Sequence, residues 1–440
     1  MKGKRRVLKT CKIYQMLKKG AEKKYIPFHM PGHKLGKWDI TELAYSDNLA
    51  SPRGCIAQAE QDIAKILGAY KSYILTDGST SGVLSALYAA KKLGVNKIAL
   101  FDKSHKSGWN GCKLLGITPL VYTQAKSEKM PNIPTMYELK EDFAEVLDAA
   151  DALFITSPDY YGNVAELKAL RAYCDERNKL LLIDGAHGGH LHFEREWYAG
   201  AYADIWVDGA HKSLPALTQG AIVSARDEKT ASALLEGVLV FRTTSPSYPI
   251  MASVEYAAKY PRNEKLEKIV KAYIDGTERI YKAKDWTKLC ALFGEHAFEA
   301  ERELIKKGIY PEFCDGNVVM FYLSPLTKKK HFKRLQKELN ILFAKYPYIA
   351  TQAVEQRHTP YVFDKNAKTE WVELDAAQGK ICASDCGLFP PCTPLIKQGE
   401  VMSGEKIQLL KKAANTYGLV DGKILVVSLA GVTLDKKEGD

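Results

Sequence analysis

Short apolar runs, rich in β-branched and aromatic residues and free of internal charge, recur through the first half of the chain. They fall at Tyr73–Leu75, Ile98–Phe101, Pro119–Tyr122, Ala152–Ile155, Leu180–Ile183, Ile205–Val207 and Ala221–Val223. Between several of them, helical patterns cover Ser81–Lys92, Leu139–Ala149 and Ala165–Asn178. A strand apolar at every position has to be covered on both faces. Such strands alternating with helices predict an α/β domain built on a mostly parallel seven-stranded sheet.

The flanks read differently. Residues 1–55 form an arm of mixed character, with a turn at His29-Met30-Pro31-Gly32-His33 where Pro and Gly interrupt any regular element. An amphipathic helix over Gln58–Leu67 then opens the large domain, taken as residues 56–285. Pro249–Lys284 reads as largely helical and leads out of it. Residues 286–440 mix strands (Val318–Leu323, Ile424–Ser428) with helices (Phe332–Lys345, Gly404–Tyr417), which predicts a smaller C-terminal α+β domain. A chain of 440 residues is long for one core at ~100–200 residues per domain, in keeping with this division.

Composition narrows the class. No stretch of ~20 apolar residues is free of charge, so no membrane span is expected. No apolar signal core follows the basic Met1–Lys9, and the expected location is cytoplasmic. The net charge of +11 comes from scattered lysines without a nucleic-acid motif, so it reads as a basic surface suited to anionic ligands. Nine cysteines, an odd number at irregular spacing, argue against a disulfide framework. Cys382, Cys386 and Cys392 are the densest group, but they lack the tight pairs and fourth ligand of a zinc site, and no metal is expected.

In a parallel sheet, ligands bind where strands end and loops begin. Thr76-Asp77-Gly78-Ser79-Thr80-Ser81-Gly82 follows the first strand and opens a helix, so free backbone N–H groups, the hydroxyls of Ser79, Thr80 and Ser81 and the positive helix end suit a phosphate. Ordinary helix capping reads equally well there. Asp184 ends the strand Leu180–Ile183; a carboxylate at the end of a buried strand needs a cationic partner, either a protonated pyridine nitrogen or a structural ion pair. Lys212, in Asp208-Gly209-Ala210-His211-Lys212-Ser213, lies 28 residues further on, after the strand Ile205–Val207, where a lysine can become a nucleophile if its surroundings lower its pKa. His105, beyond Ile98–Phe101, could stack on a flat ring or lie on the surface. His187 and His190 stand three apart, but Gly188-Gly189 between them disfavours the helix that a metal pair would use.

Taken together, these blocks resemble the short bacterial form of the Orn/Lys/Arg decarboxylases, fold-type I enzymes dependent on pyridoxal 5′-phosphate (PLP). The likeness runs from about Phe28 to Val254 and is carried by Phe28-His29-Met30-Pro31-Gly32-His33-Lys34, Ser51-Pro52-Arg53-Gly54, Phe101-Asp102-Lys103-Ser104-His105-Lys106-Ser107, Ser157-Pro158-Asp159-Tyr160-Tyr161-Gly162, Asp184-Gly185-Ala186-His187-Gly188, His211-Lys212-Ser213-Leu214-Pro215-Ala216 and Thr244-Ser245-Pro246-Ser247-Tyr248-Pro249. It implies that Lys212 holds PLP as a Schiff base, that Asp184 pairs with the pyridine nitrogen, and that His105 and Ala186 flank the ring, with His187 beside them. It implies that Ser79, Thr80 and Ser81 bind the phosphate, and that Thr243, Thr244 and Ser245 reach the cofactor of a neighbouring subunit in a homodimer or larger homo-oligomer. The implied reaction is α-decarboxylation of arginine or lysine, with ornithine a further candidate, toward polyamines. Lys212 or His211 would then return the proton.

The chain departs from the family in places. Asp77-Gly78-Ser79 stands where Asn-Gly-Thr is usual. Gly209 replaces a serine three residues before the lysine, which removes one phosphate hydroxyl. Pro390-Pro391-Cys392-Thr393-Pro394 and Gln398-Gly399-Glu400 replace the usual C-terminal signature, leaving Glu400 a weak candidate for the cationic end of a substrate against a helix-capping role. A different PLP reaction, aminotransferase or lyase, and a non-catalytic relative are the competing functions, because a fold does not fix a reaction.

Overall fold

The computed structural model describes residues 2–123, 133–350, 367–389, 394–413 and 415–428. They divide into two compact units, one holding the described residues to 289 together with 322–336, the other holding 290–321 and the described residues from 337 onward.

The first unit is built on the predicted sheet. Its strands are β1 (Lys71–Leu75), β2 (Lys97–Phe101), β3 (Thr118–Tyr122), β4 (Ala152–Thr156), β5 (Leu180–Gly185), β6 (Ile205–Asp208) and β7 (Ala221–Ala225), in the spatial order β1-β7-β6-β5-β4-β2-β3. All neighbours are parallel except at β7, which runs antiparallel to both β1 and β6. Two reversals cancel, so β1 runs in the same direction as β6. The carboxyl ends of every strand but β7 therefore open on one edge of the sheet.

Side chains alternate between two cores, as a pleated strand requires. Leu153, Ile155, Leu181, Ile183 and Trp206 point into one layer, while Phe154, Leu182, Ile205 and Val207 point into the other. The helices are α1 (Lys2–Thr10), α2 (Lys12–Ala21), α3 (Cys55–Leu67), α4 (Ser79–Lys92), α5 (Lys106–Leu115), α6 (Met136–Asp142), α7 (Ala144–Ala149), α8 (Leu167–Glu176), α9 (Ala210–Ser213), α10 (Glu228–Phe241), α11 (Tyr248–Ala258) and α12 (Glu264–Asp275). Residues of α2, α3, α8 and α11 fill the first layer, and residues of α4, α5 and α10 fill the second.

Several elements differ from the sequence-based expectation. The arm is not merely irregular: α1 and α2 lie within it, and Ile13, Leu17, Ile40 and Leu49 join the first core layer. The helix expected over Leu139–Ala149 is two helices broken at Phe143, and Pro249–Lys284 is likewise divided into α11 and α12 around Pro261. The loop after β2 holds α5, which no apolar period marks. The second unit has its own core of Leu374, Ala377, Cys382, Cys386, Ile396, Met402, Ile407, Leu410, Ile424 and Val426. In it, the strand Thr369–Glu373 pairs antiparallel with Lys423–Val427, and the helix expected over Gly404–Tyr417 stops at Lys412. Residues 390–393 of the C-terminal signature, Cys392 included, lie outside the described residues. No helix of the described residues is long and apolar enough to cross a membrane.

Candidate active site

Four of the strand-end loops on the shared edge, those of β1, β2, β5 and β6, carry candidate residues. After β1, Gly78 caps α4 with φ +86°, a left-handed conformation that glycine adopts without strain. Its N–H donates to the carbonyl of Gln219 at 2.8 Å, which ties the turn to the strand β7 entrance. Ser81 spends its hydroxyl on the Gly78 carbonyl at 2.9 Å. The Ser79 hydroxyl is buried without a hydrogen-bond partner among the described residues, and Thr80 is exposed. The first turn thus presents free amides and one orphaned hydroxyl together.

Gly209 explains a departure from the family pattern. A β-carbon there would lie 2.4 Å from the Ala186 carbonyl oxygen and 3.0 Å from Ser79 Oγ. This backbone leaves no room for the serine that the family carries, and the Ser79 hydroxyl occupies the adjacent space.

Asp184 is the penultimate residue of β5 and is almost fully buried. It accepts a hydrogen bond from the Ala186 N–H at 3.1 Å and forms no ion pair among the described residues. Burial raises its pKa, and the nearby Lys212 cation opposes that rise. Such a carboxylate suits a cationic ring nitrogen.

His105 caps α5. Its Nδ1 accepts from the Ser107 N–H at 3.2 Å and lies 2.8 Å from Ser107 Oγ, so the ring proton sits on Nε2. Burial, with Lys212 and Lys106 nearby, pushes its pKa down to about 3, and the ring is neutral. His187 is buried on the loop after β5; its Nε2 lies 3.0 Å from Lys212 Nζ and its Nδ1 lies 2.9 Å from the Tyr322 hydroxyl. Burial first, then Lys212, Lys288 and His105, hold its pKa well below the usual histidine value. His211 directs Nδ1–H at the Gly220 carbonyl, 2.9 Å away, which leaves Nε2 as its basic atom. The electrostatic couplings of Lys212 with Asp184, His105, His187 and His211 place all five groups in one neighbourhood.

His187 and His190 take separate partners, His190 pairing with Asp285 at 2.8 Å. Among the described residues, no group of three His, Cys, Asp or Glu side chains is arranged to hold a metal ion. Thr243, Thr244 and Ser245 form an exposed segment, tethered where the Thr243 N–H donates to Asp77 Oδ2 at 2.9 Å. Glu400 lies in the second unit, where one carboxylate oxygen pairs with the buried Lys406 ammonium and the other accepts from the Lys397 N–H at 3.1 Å. Its charge is therefore already matched by a residue six positions away. Lys288, Asp285 and Tyr322, all close to His187, escaped the sequence reading: a buried lysine and a tyrosine closing an apolar strand carry no local signal.

The strand order, the reversal at β7 and the lysine and aspartate on neighbouring strand ends define the fold-type I architecture of the PLP-dependent enzymes. Escherichia coli constitutive lysine decarboxylase shares this fold with a TM-score of 0.72, over 96% of this chain and 82% of that one, at 19% identity. The family model for the Orn/Lys/Arg decarboxylase major domain matches residues 11–293, and the chain belongs to that family. It is 26% identical to the uncharacterized protein YaaO of Bacillus subtilis (strain 168) over 94% of this chain and 96% of that protein. It is 25% identical to the arginine decarboxylase of the same organism, over 91% of this chain and 93% of the enzyme.

Proposed function

We propose that this protein is a PLP-dependent decarboxylase that removes the α-carboxylate of a basic amino acid, arginine or lysine, with ornithine a third candidate, and releases a di- or polyamine precursor. One observation carries the reading. A carboxylate buried without an ion pair among the described residues, Asp184, and an amine just past a strand end, Lys212, share one neighbourhood with histidines depleted of charge. Bound PLP would supply a ring able to accept the electron pair that carbon dioxide leaves behind.

The protein's own groups divide the remaining work. Asp184 would hold the ring nitrogen, Ser79 and the first-turn amides of α4 the phosphate, and Lys212 the carbonyl carbon. His105 and Ala186 would bound the ring faces. Burial of Asp184 and His187, with His105 half-buried, limits water at the reacting carbon, which strengthens each charge interaction there. Proton return to the substrate falls to Lys212 Nζ or to His211 Nε2, the basic atom left by its hydrogen bond to Gly220. The exposed Thr243–Ser245 segment would complete the site of a second copy, making the working form a homodimer or larger assembly.

A panel of arginine, lysine, ornithine and neutral amino acids, scored for both carbon dioxide and amine, tests the reading. Carbon dioxide and amine from a basic amino acid are expected. Turnover of neutral amino acids alone, or keto acids without carbon dioxide, would replace decarboxylation with another reaction on the same scaffold.

A further inference from the structure

Behind the site lies a buried polar cluster outside every motif named above. Lys288 opens the strand Lys288–Leu292 and its side chain is fully buried. Its Nζ faces three acceptors: the Asp285 carboxylate, the His187 carbonyl at 2.7 Å and Thr287 Oγ1 at 3.2 Å. Three acceptors match the three donors of an ammonium. Asp285, held well below the usual carboxylate range by His190 and Lys288, supplies the counter-charge. The Lys288 ammonium also stands 4.5 Å from the centre of the Tyr322 ring. From Tyr322 the contacts continue to His187 Nδ1 at 2.9 Å, and from His187 Nε2 to Lys212 Nζ at 3.0 Å.

We propose that Tyr322, oriented and polarised by Lys288, is a positioning residue for the Lys212 amine: its hydroxyl donates to His187 Nδ1 and so keeps the imidazole proton on Nε2, facing Lys212. This rests on the reading of Lys212 as the reacting amine. A neutral imidazole carries one proton, and its second nitrogen must accept. A cation against a phenol ring makes the hydroxyl a stronger donor and a poorer acceptor. The hydroxyl therefore gives its hydrogen to Nδ1, and Nε2–H donates to the lone pair of Nζ. That arrangement favours amine over ammonium at Lys212, and only the amine can attack a carbonyl carbon.

Other groups also face this line. Asp184 favours the ammonium, Lys288 disfavours it, and His105 and His211 also face Lys212. Asp159 and Asp285 face Lys288, and the Tyr160 ring stands edge-on to His187 at 4.8 Å. Tyr322→Phe retains all of these and removes the hydroxyl alone.

The test is the pH profile of Lys212 labelling by brief exposure to acetic anhydride. It is read by peptide mass spectrometry on protein treated with hydroxylamine to release any bound cofactor. Tyr322→Phe is expected to raise the labelling midpoint by about one pH unit, roughly a tenfold loss of free amine below it, the scale of one hydrogen bond. In a His187→Gln background the same change is expected to shift nothing further. A Tyr322→Phe profile that overlays the wild type overturns the proposal, as does an equal shift in the His187→Gln background. Should Tyr322→Phe lose its cooperative unfolding, the histidine nitrogen chemical shifts of the wild type decide. A proton on Nε2 of His187 sustains the proposal and one on Nδ1 overturns it. Release of no cofactor by hydroxylamine would sink the PLP reading alone, since the labelling profile does not depend on it.

Discussion

Asp208 closes β6 four residues before Lys212, and its titration should be visible in the stability of the whole protein. The side chain is 1% exposed. Oδ2 accepts from the Tyr198 hydroxyl at 2.7 Å and from Trp206 Nε1 at 3.1 Å, while Oδ1 is buried without a hydrogen-bond partner among the described residues. No cation pairs with it among the described residues. Burial pushes its pKa up from 3.8 to about 7, against the smaller downward pull of the two donors. A carboxyl whose pKa is higher in the folded chain binds its proton more tightly there. Its stabilising effect is complete below pH 3.8 and is lost as pH rises toward 7. At about 1.4 kcal/mol per pH unit, the loss between pH 5 and pH 8 is about 3 kcal/mol. Asp208→Asn keeps an oxygen for Tyr198 and Trp206 and has no charge to gain. Urea unfolding of both proteins at the two pH values should show the variant's stability relative to wild type improving by about 3 kcal/mol from pH 5 to pH 8. Glu60 and Asp159, raised to about 7 and about 6 by burial, titrate in both proteins and cancel in the comparison. A difference that stays constant with pH would refute the assignment of a buried, unpaired acid to Asp208.

Asp184→Asn should leave far-ultraviolet circular dichroism unchanged and lower turnover by about 10²–10³, the scale of losing one preorganised charge interaction; near-wild-type turnover would exclude its role at the ring nitrogen. Borohydride treatment of purified protein should abolish visible absorbance and leave a cofactor adduct that peptide mass spectrometry places on Lys212, and an adduct on another lysine would reassign the site. Mixing Lys212→Ala with a variant altered at Thr243–Ser245 should restore part of the activity if the sites are composite; no recovery after proven subunit exchange would count against that assembly. Gly209→Ser should destabilise the protein by about 1–3 kcal/mol, because its β-carbon would meet the Ala186 carbonyl oxygen, and an unchanged thermal midpoint would contradict that contact.

The seven strands were legible because each carries an apolar run, and all but the half-buried edge strand β3 are buried along most of their length. The strand-end positions of Asp184 and Lys212 followed, since a chain that alternates strand and helix must turn where each apolar run stops. Helix α2 could not be read this way. No local side chain caps it; Glu255, more than 240 residues later, accepts from the N–H groups of Lys12 at 2.6 Å and Ile13 at 2.9 Å. Helix α5 contains Gly108 and Gly111, which weaken helix propensity, yet a β-carbon at Gly111 would lie 2.4 Å from Leu87 Cδ1, so close packing against α4 favours glycine there. Composition and order thus determined the sheet, its edge and the residues placed along it. Which side chains meet at that edge was decided by tertiary structure. Tyr322 reaches His187 across 135 positions and Lys288 reaches it across 101, because hydrogen bonds form between groups that are near in space, and only the packed sheet and its covering layers bring these groups together.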